Sequence, residues 1–265
     1  MAHHMPFVSF PSSITMAQCR QTTPALFLAI LLAASGMYQS NLQATLLDEF
    51  YKVLADQVMY RGQKRLELVQ GILITWMWMP PPDRVEDMKF GLMAHLSAGM
   101  IQDLRLKGAR NYPTTDWSGL SKYSAQRSIV SEESITIEGR RTLLATFCAC
   151  AMLSVVLKRS TILPFNDFMA QSLVVLKESP EAMPNDKSLV AWVELERISM
   201  DLAEAKSAGL NSDISPGAEN LKIWLARTFE SRLQSWRQSV EEMQGTPNGL
   251  SYYSRVNILQ RNLDD

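Results

Sequence analysis

The side chains able to carry chemistry are few and scattered. A hydrolase needs a nucleophile with a base in reach, and that base is most often histidine. His3 and His4 stand at the very start, which leaves His95, on an apolar segment with no nucleophile motif around it. It reads as a structural histidine at a helix edge. The sequence contains no Gly-rich phosphate loop, no HExxH and no G-x-S-x-G. Helical enzymes that hold magnesium cluster their aspartates. The nearest candidates here, Asp48-Glu49 and Asp264-Asp265, are a helix face and a chain end. The three cysteines, Cys19, Cys148 and Cys150, do not make a disulfide framework or a four-ligand zinc site by themselves. Cys148 and Cys150 stand two apart on a predicted helix, point to different faces, and read as buried reduced thiols. The expectation is no enzyme, with no catalytic, metal-binding or cofactor-binding residue in the chain.

The charged residues that stand out are Asp103, Glu138, Arg140, Arg141, Lys158 and Arg159. Arg140 and Arg141 open a strongly apolar helix, where cations oppose the helix dipole. One reading is two solvated arginines, since isolated surface pairs contribute only about 0–1 kcal/mol. The sharper reading is a tie to a carboxylate: an interhelical Asp103–Arg141 pair, or a pair with an acid such as Glu138. Lys158-Arg159 forms a cationic helix end, favourable to the dipole there, with a ligand or partner contact as the second possibility.

These groups must be positioned by helices. Apolar residues make up 46% of the chain and charged residues 20%, too apolar for disorder and ordinary for a globular protein. The net charge of -1 gives no general attraction to nucleic acid or to an acidic membrane. Leu66, Val69, Leu73, Trp76 and Met77 recur at helical period. Pro80, Pro81 and Pro82 then end that helix, and Asp83, with Glu86 three residues on, is placed to cap a restart. The second helix of this hairpin carries Phe90, Met93, Ala94, Met100, Ile101 and Leu104 on one side and ends near Gly108.

Residues 1–23 read as an irregular lead, with Pro6 and Pro11 as breakers. Pro24 starts an almost wholly apolar helix to Met37, which implies burial on all sides. Its apolar stretch is about a dozen residues, short of the roughly 20 that span a bilayer, so no membrane is expected. A helix from Leu42 to about Arg61 follows, closed by Gly62. From Gly108 to Ile137 the pattern fails, and the loop 108–137 is longer than a compact domain usually leaves without structure. Helices return over Glu138–Leu157, from an Asn166 cap to Leu176, from an Asp186 cap to Ala205 with Gly209 at its end, and from Ser215-Pro216 to Gly245. The expected fold is all-α with about eight helices. It divides into the lead 1–23, a helical domain 24–245 and a truncated tail 246–265.

In this order the segments resemble the regulatory middle-homology domain of fungal zinc-cluster transcription factors. The matching pieces are Thr23-Pro24-Ala25-Leu26-Phe27-Leu28-Ala29-Ile30, then Leu66 to Leu73 followed by Trp76. Next come Gly99-Met100-Ile101-Gln102-Asp103-Leu104-Arg105-Leu106 and Glu138-Gly139-Arg140-Arg141-Thr142-Leu143-Leu144. Leu157-Lys158-Arg159 with Leu163, and a late helix with Trp224 and Leu233-Gln234-Ser235-Trp236, complete the match. The sequence departs from the pattern at Arg105, where many relatives carry glycine, and at Leu143-Leu144, where many carry a tryptophan soon after the double arginine. The six-cysteine zinc cluster is absent.

The resemblance implies a regulatory domain of a transcription factor, located in the nucleus. DNA would be contacted only through a missing N-terminal module, which would also hold the zinc; transcriptional co-regulators and a homodimer are further implied partners. These residues lack the basic stripe that phosphate binding requires. Two other readings remain open. One is a stand-alone helical scaffold for protein partners. The other is a helical small-molecule binder or enzyme, with a pocket lined by Trp76, Trp78, Met100 and Phe147.

Overall fold

The computed structural model describes residues 7–10, 14–82, 84–104, 106, 136–210 and 218–244. Among them are nine α-helices and no strand, so the all-α expectation is borne out. In chain order they are α1 (Met16–Thr22), α2 (Pro24–Ser35), α3 (Ser40–Leu54), α4 (Leu66–Trp78), α5 (Phe90–Asp103), α6 (Ile137–Leu157), α7 (Asp167–Glu178), α8 (Pro184–Leu210) and α9 (Ala218–Gln244).

Two helices carry the architecture. In α4 every residue from Glu67 to Thr75 is buried, and in α6 every residue from Arg141 to Ala151 is buried. A helix apolar around its whole circumference must be covered on all sides. Helix α4 is packed by α2, α5 and α6, while α6 is packed by α4, α5, α7 and α8; α3 lies on α2, and α9 lies on α8. One continuous apolar core runs from Phe7 to Trp236. By length and composition α6 could cross a membrane, but 67% of its apolar window is buried among the other helices, as in a core helix.

Directions follow from side-chain contacts. Trp76 meets Phe90 edge-to-face at 6.0 Å, and Lys64 pairs with Asp103 at 2.7 Å, so α4 and α5 are antiparallel. Gln70 Nε2 donates to Glu138 Oε1 at 2.9 Å and to Thr142 Oγ1 at 3.3 Å, which sets the start of α6 beside the first half of α4. At the other end of α4, Gln43 Nε2 donates to the Trp78 carbonyl at 2.8 Å. One end of the bundle therefore collects the end of α2, the start of α3, the end of α4, the start of α5 and the end of α6.

Local chemistry corrects several boundaries. The lead 1–23 contains α1, because Thr15 and Gln18 form a reciprocal capping box at its start. The helix expected to Arg61 changes after Leu54 into a π-helical turn, Ala55–Tyr60, before Gly62 reverses the chain at φ +65°. The second hairpin helix begins at Phe90, after a short 3₁₀ turn, Val85–Asp87, and ends at Asp103 rather than near Gly108. Helix α8 starts at Pro184 and runs through Gly209 to Leu210. The Asp83 cap, Arg105, the loop up to 135, Ser215-Pro216 and the tail 246–265 lie outside the described residues.

Candidate functional site

The strongest concentration of buried charge lies where α6, α7 and the start of α8 meet. Thr136 caps α6 by accepting from the Gly139 N–H at 3.0 Å, which presents Arg140 and Arg141 in the first turn toward the later helices. Arg141 Nε donates to Asp186 Oδ1 at 2.7 Å and its Nη2 to Asp186 Oδ2 at 2.8 Å. Its Nη2 also reaches the Glu181 carbonyl at 3.0 Å. Both side chains are buried, at 6% and 1% exposure. A planar guanidinium and a carboxylate joined by two parallel bonds form the strongest and most directional ion pair available to a protein.

Asp186 serves a second purpose. Its Oδ2 accepts from the Met183 N–H at 2.7 Å, so it reaches back from the third position of α8 to the residue before the helix, as the carboxylate of a capping box does. It is therefore not the preceding cap residue that its position suggested. Arg140 lies alongside: its Nη1 donates to Ser172 Oγ at 3.0 Å, and its guanidinium lies 4.7 Å from the centre of the Phe168 ring. Burial pushes that guanidinium below its ordinary value.

The Asp103–Arg141 tie is therefore corrected. Arg141 pairs with Asp186, and Asp103 pairs at the surface with Lys64. The reading of two solvated arginines falls too, because Arg141 is buried and Arg140 half-buried. Glu138 holds Gln70 rather than an arginine.

Glu67 is another buried carboxylate, one that nothing in the sequence marks. Glu67, in the first turn of α4, lies 2.7 Å from Arg65 Nη1 and faces the N–H groups of Ala25 and Leu26 at the start of α2. Helix α2 has no side-chain cap of its own, since Thr23 Oγ1 donates to the Cys19 carbonyl of α1 instead. The Glu67 oxygens make no well-aligned hydrogen bond, so their contact with both helix starts is electrostatic. Burial raises the pKa of Glu67, opposed by Arg65 and the two N–H groups.

Lys158 and Arg159 are exposed at the end of α6. The Arg159 N–H reaches the Ser154 carbonyl at 2.9 Å and the Lys158 N–H reaches that of Val155 at 3.4 Å, the Schellman pattern. Lys158 takes the left-handed conformation this requires, φ 50° and ψ 47°. For a residue with a Cβ that costs about 1–2 kcal/mol, more than the roughly 0.3–1 kcal/mol a cation gains from the helix dipole.

The other candidates are absorbed by structure. His95 Nδ1 lies 2.6 Å from the Gly91 carbonyl of its own helix. Trp76 is set against Phe90 and Phe147 against Phe165, at 6.0 and 5.3 Å, while Met100 is a core residue. Cys19, Cys148 and Cys150 are buried and in no disulfide, and burial pushes the Cys150 thiol up to about 12. No group of three histidine, cysteine or acidic residues among the described ones could hold a metal ion. A six-cysteine zinc cluster does not fit a chain with three cysteines.

The geometry is that of a helical domain whose ionic groups lock helices together. The model of the WAR1 C-terminal domain matches residues 1–260. The chain belongs to the WAR1 C-terminal domain family. It is 27% identical over 250 residues to transcription factor pbcR of Emericella nidulans, covering 91% of this chain and 33% of that protein. It is 28% identical over 197 residues to transcription factor himD of Aspergillus japonicus, covering 74% of this chain and 31% of that protein. Transcription factor opdL of Penicillium oxalicum is 21% identical over 244 residues, covering 89% of this chain and 42% of that protein. The WAR1 C-terminal domain chain thus spans about a third of the length of pbcR and himD. No solved structure matches it significantly. The resemblance to a regulatory domain of fungal transcription factors is borne out by the family and by these relatives.

Proposed function

We propose that this WAR1 C-terminal domain acts in the nucleus as the restraining or signal-receiving part of a transcription factor, with base recognition supplied by a zinc-bearing module outside these residues. The observation that carries the proposal is the family match over residues 1–260, joined to relatives that are all named as transcription factors. The site geometry supports it. Arg141 and Asp186, both buried, bind each other and leave no carboxylate or guanidinium of that pair for a substrate. The domain would then act by contact and not by catalysis, through co-regulators or a second copy.

A reporter assay tests this. The chain is inserted between a heterologous DNA-binding module and an activating segment, and reporter output is compared with that of the same fusion lacking it. The expected result is a severalfold change in output, reduced when Arg141→Ala destabilises the domain. Equal output with and without the folded domain would overturn the reading.

A further inference from the structure

Among the described residues a hydroxyl precedes proline at Thr23 and at Ser179, in different settings. Thr23 Oγ1 donates to the Cys19 carbonyl at 3.0 Å, and Pro24 is already the first residue of α2. That hydroxyl is committed to the junction of two helices. Ser179 lies in the short connection between α7 and α8. Its Oγ accepts from the Glu181 N–H at 3.2 Å, and its own proton goes to no described residue. Pro180 and Glu181 beside it are exposed. A residue before proline is held extended, and Ser179 has φ −66° and ψ 138°. It already has the backbone that a cleft for extended chain takes.

The same connection is gripped by the buried ion pair. Arg141 Nη2 donates to the Glu181 carbonyl at 3.0 Å, just after Ser179. Asp186 Oδ2 accepts from the Met183 N–H at 2.7 Å. Whatever moves residues 179–183 therefore pulls on both partners of the pair.

Charge decides what a phosphate on Ser179 does. It adds about −1.5 to −2 at pH 7 at the carboxyl end of α7, where the helix dipole disfavours anions. There the Ser179 N–H closes the last turn on the Val175 carbonyl at 2.9 Å. Exposed Glu178 and Glu181 flank it. The nearby cations are engaged: Lys177 with Glu194 at 2.8 Å, Arg141 with Asp186, and Arg140 with Ser172, further back along α7. Lys187, exposed in the first turn of α8, is one positive charge against the phosphate and two carboxylates. In such surroundings a phosphate loosens a helix end instead of ordering it.

We propose that Ser179 is the acceptor for a proline-directed protein kinase, and that its phosphate loosens the α7–α8 connection from the Arg141–Asp186 pair. The transfer breaks the bond between the γ-phosphorus of ATP and its bridging oxygen and forms one from that phosphorus to Ser179 Oγ. The hydroxyl proton passes to the catalytic aspartate of the kinase, and ADP leaves. What the signal achieves rests on the reading of a regulatory domain; the modification and its effect on stability do not.

The test incubates the whole folded chain with a proline-directed kinase and MgATP and maps phosphate by mass spectrometry. Phosphate is expected at Ser179, at least about tenfold slower in Pro180→Ala, which keeps the hydroxyl and removes the proline that the kinase reads. The phosphorylated chain should melt about 2–6 °C below Ser179→Ala treated in the same way. That variant is the control for any phosphate on Thr23, Ser215 or Thr246, which also precede proline. Glu178→Gln with Glu181→Gln should roughly halve the shift, since it removes the flanking charges. Four results would overturn the proposal: no phosphate at Ser179, an equal rate in Pro180→Ala, a melting temperature that phosphate at Ser179 leaves unchanged or raises, or a shift undiminished in the double glutamine variant. None of these touches the reporter assay, so the two readings fail separately.

Discussion

Arg141 and Asp186, 45 residues apart in the chain, meet in the interior as a doubly bonded ion pair at 2.7 and 2.8 Å. The pair joins the first turn of α6 to the first turn of α8, and through the Glu181 carbonyl it also holds the connection from α7. A buried ion pair roughly breaks even against apolar packing, whereas removing one partner strands the other charge.

Arg141→Ala should therefore cost about 3–5 kcal/mol, read as a lower denaturant midpoint in chemical unfolding. Arg141→Met combined with Asp186→Leu should cost less than either single change, apart from about 1 kcal/mol for the lost contact with the Met183 N–H. Additive losses in that double-mutant cycle would show that the two side chains are not coupled.

Glu67 makes stability depend on pH in an unusual direction for a carboxylate. Its folded pKa is raised, chiefly by burial, so the folded state holds the proton more tightly than the unfolded one. Its contribution is fully present below the ordinary glutamate value of 4.5 and is lost as pH rises through the raised folded value. Glu67→Gln should be at least as stable as the parent at pH 7 and should flatten the melting profile across that window. A parallel profile for the two proteins, measured by calorimetry, would count against this assignment.

Two helical glycines should respond oppositely to alanine. A Cβ at Gly71 would stand 3.0 and 3.1 Å from ring carbons of Phe50 and 3.5 Å from the Ala25 carbonyl, where α2 and α4 press together. Gly71→Ala should cost about 1–3 kcal/mol by overpacking, partly restored by Phe50→Leu. Gly99 is exposed and has nothing within 4 Å of the same position. Gly99→Ala should stabilise by about 0.5–1 kcal/mol through helix propensity. Urea unfolding of the variants checks both signs.

The thiols should be silent in the native state. Burial holds Cys150 at about 12, so at pH 8 it stays protonated, and a thiolate is what attacks a disulfide reagent. Cys19 and Cys148 are buried too. All three should react with an aromatic disulfide reagent only after denaturant is added; rapid colour in the native protein would contradict the burial.

The sequence by itself determined the class of fold and most helix positions, because period, prolines and caps are local. Asn166 does accept from the Met169 N–H as a cap should, and the stretch around Leu66 is the buried centre that its composition demanded. It also marked Arg140 and Arg141, since two cations at the start of an apolar helix need an explanation. What it left open was the partner: local chemistry favours many carboxylates equally, and only the packing of α8 on α6 brings Asp186 to Arg141 and leaves Asp103 to Lys64. Glu67 was invisible for the same reason. An acid in the first turn of a helix is ordinary in sequence, and its burial arises only where a second helix, α2, starts against it.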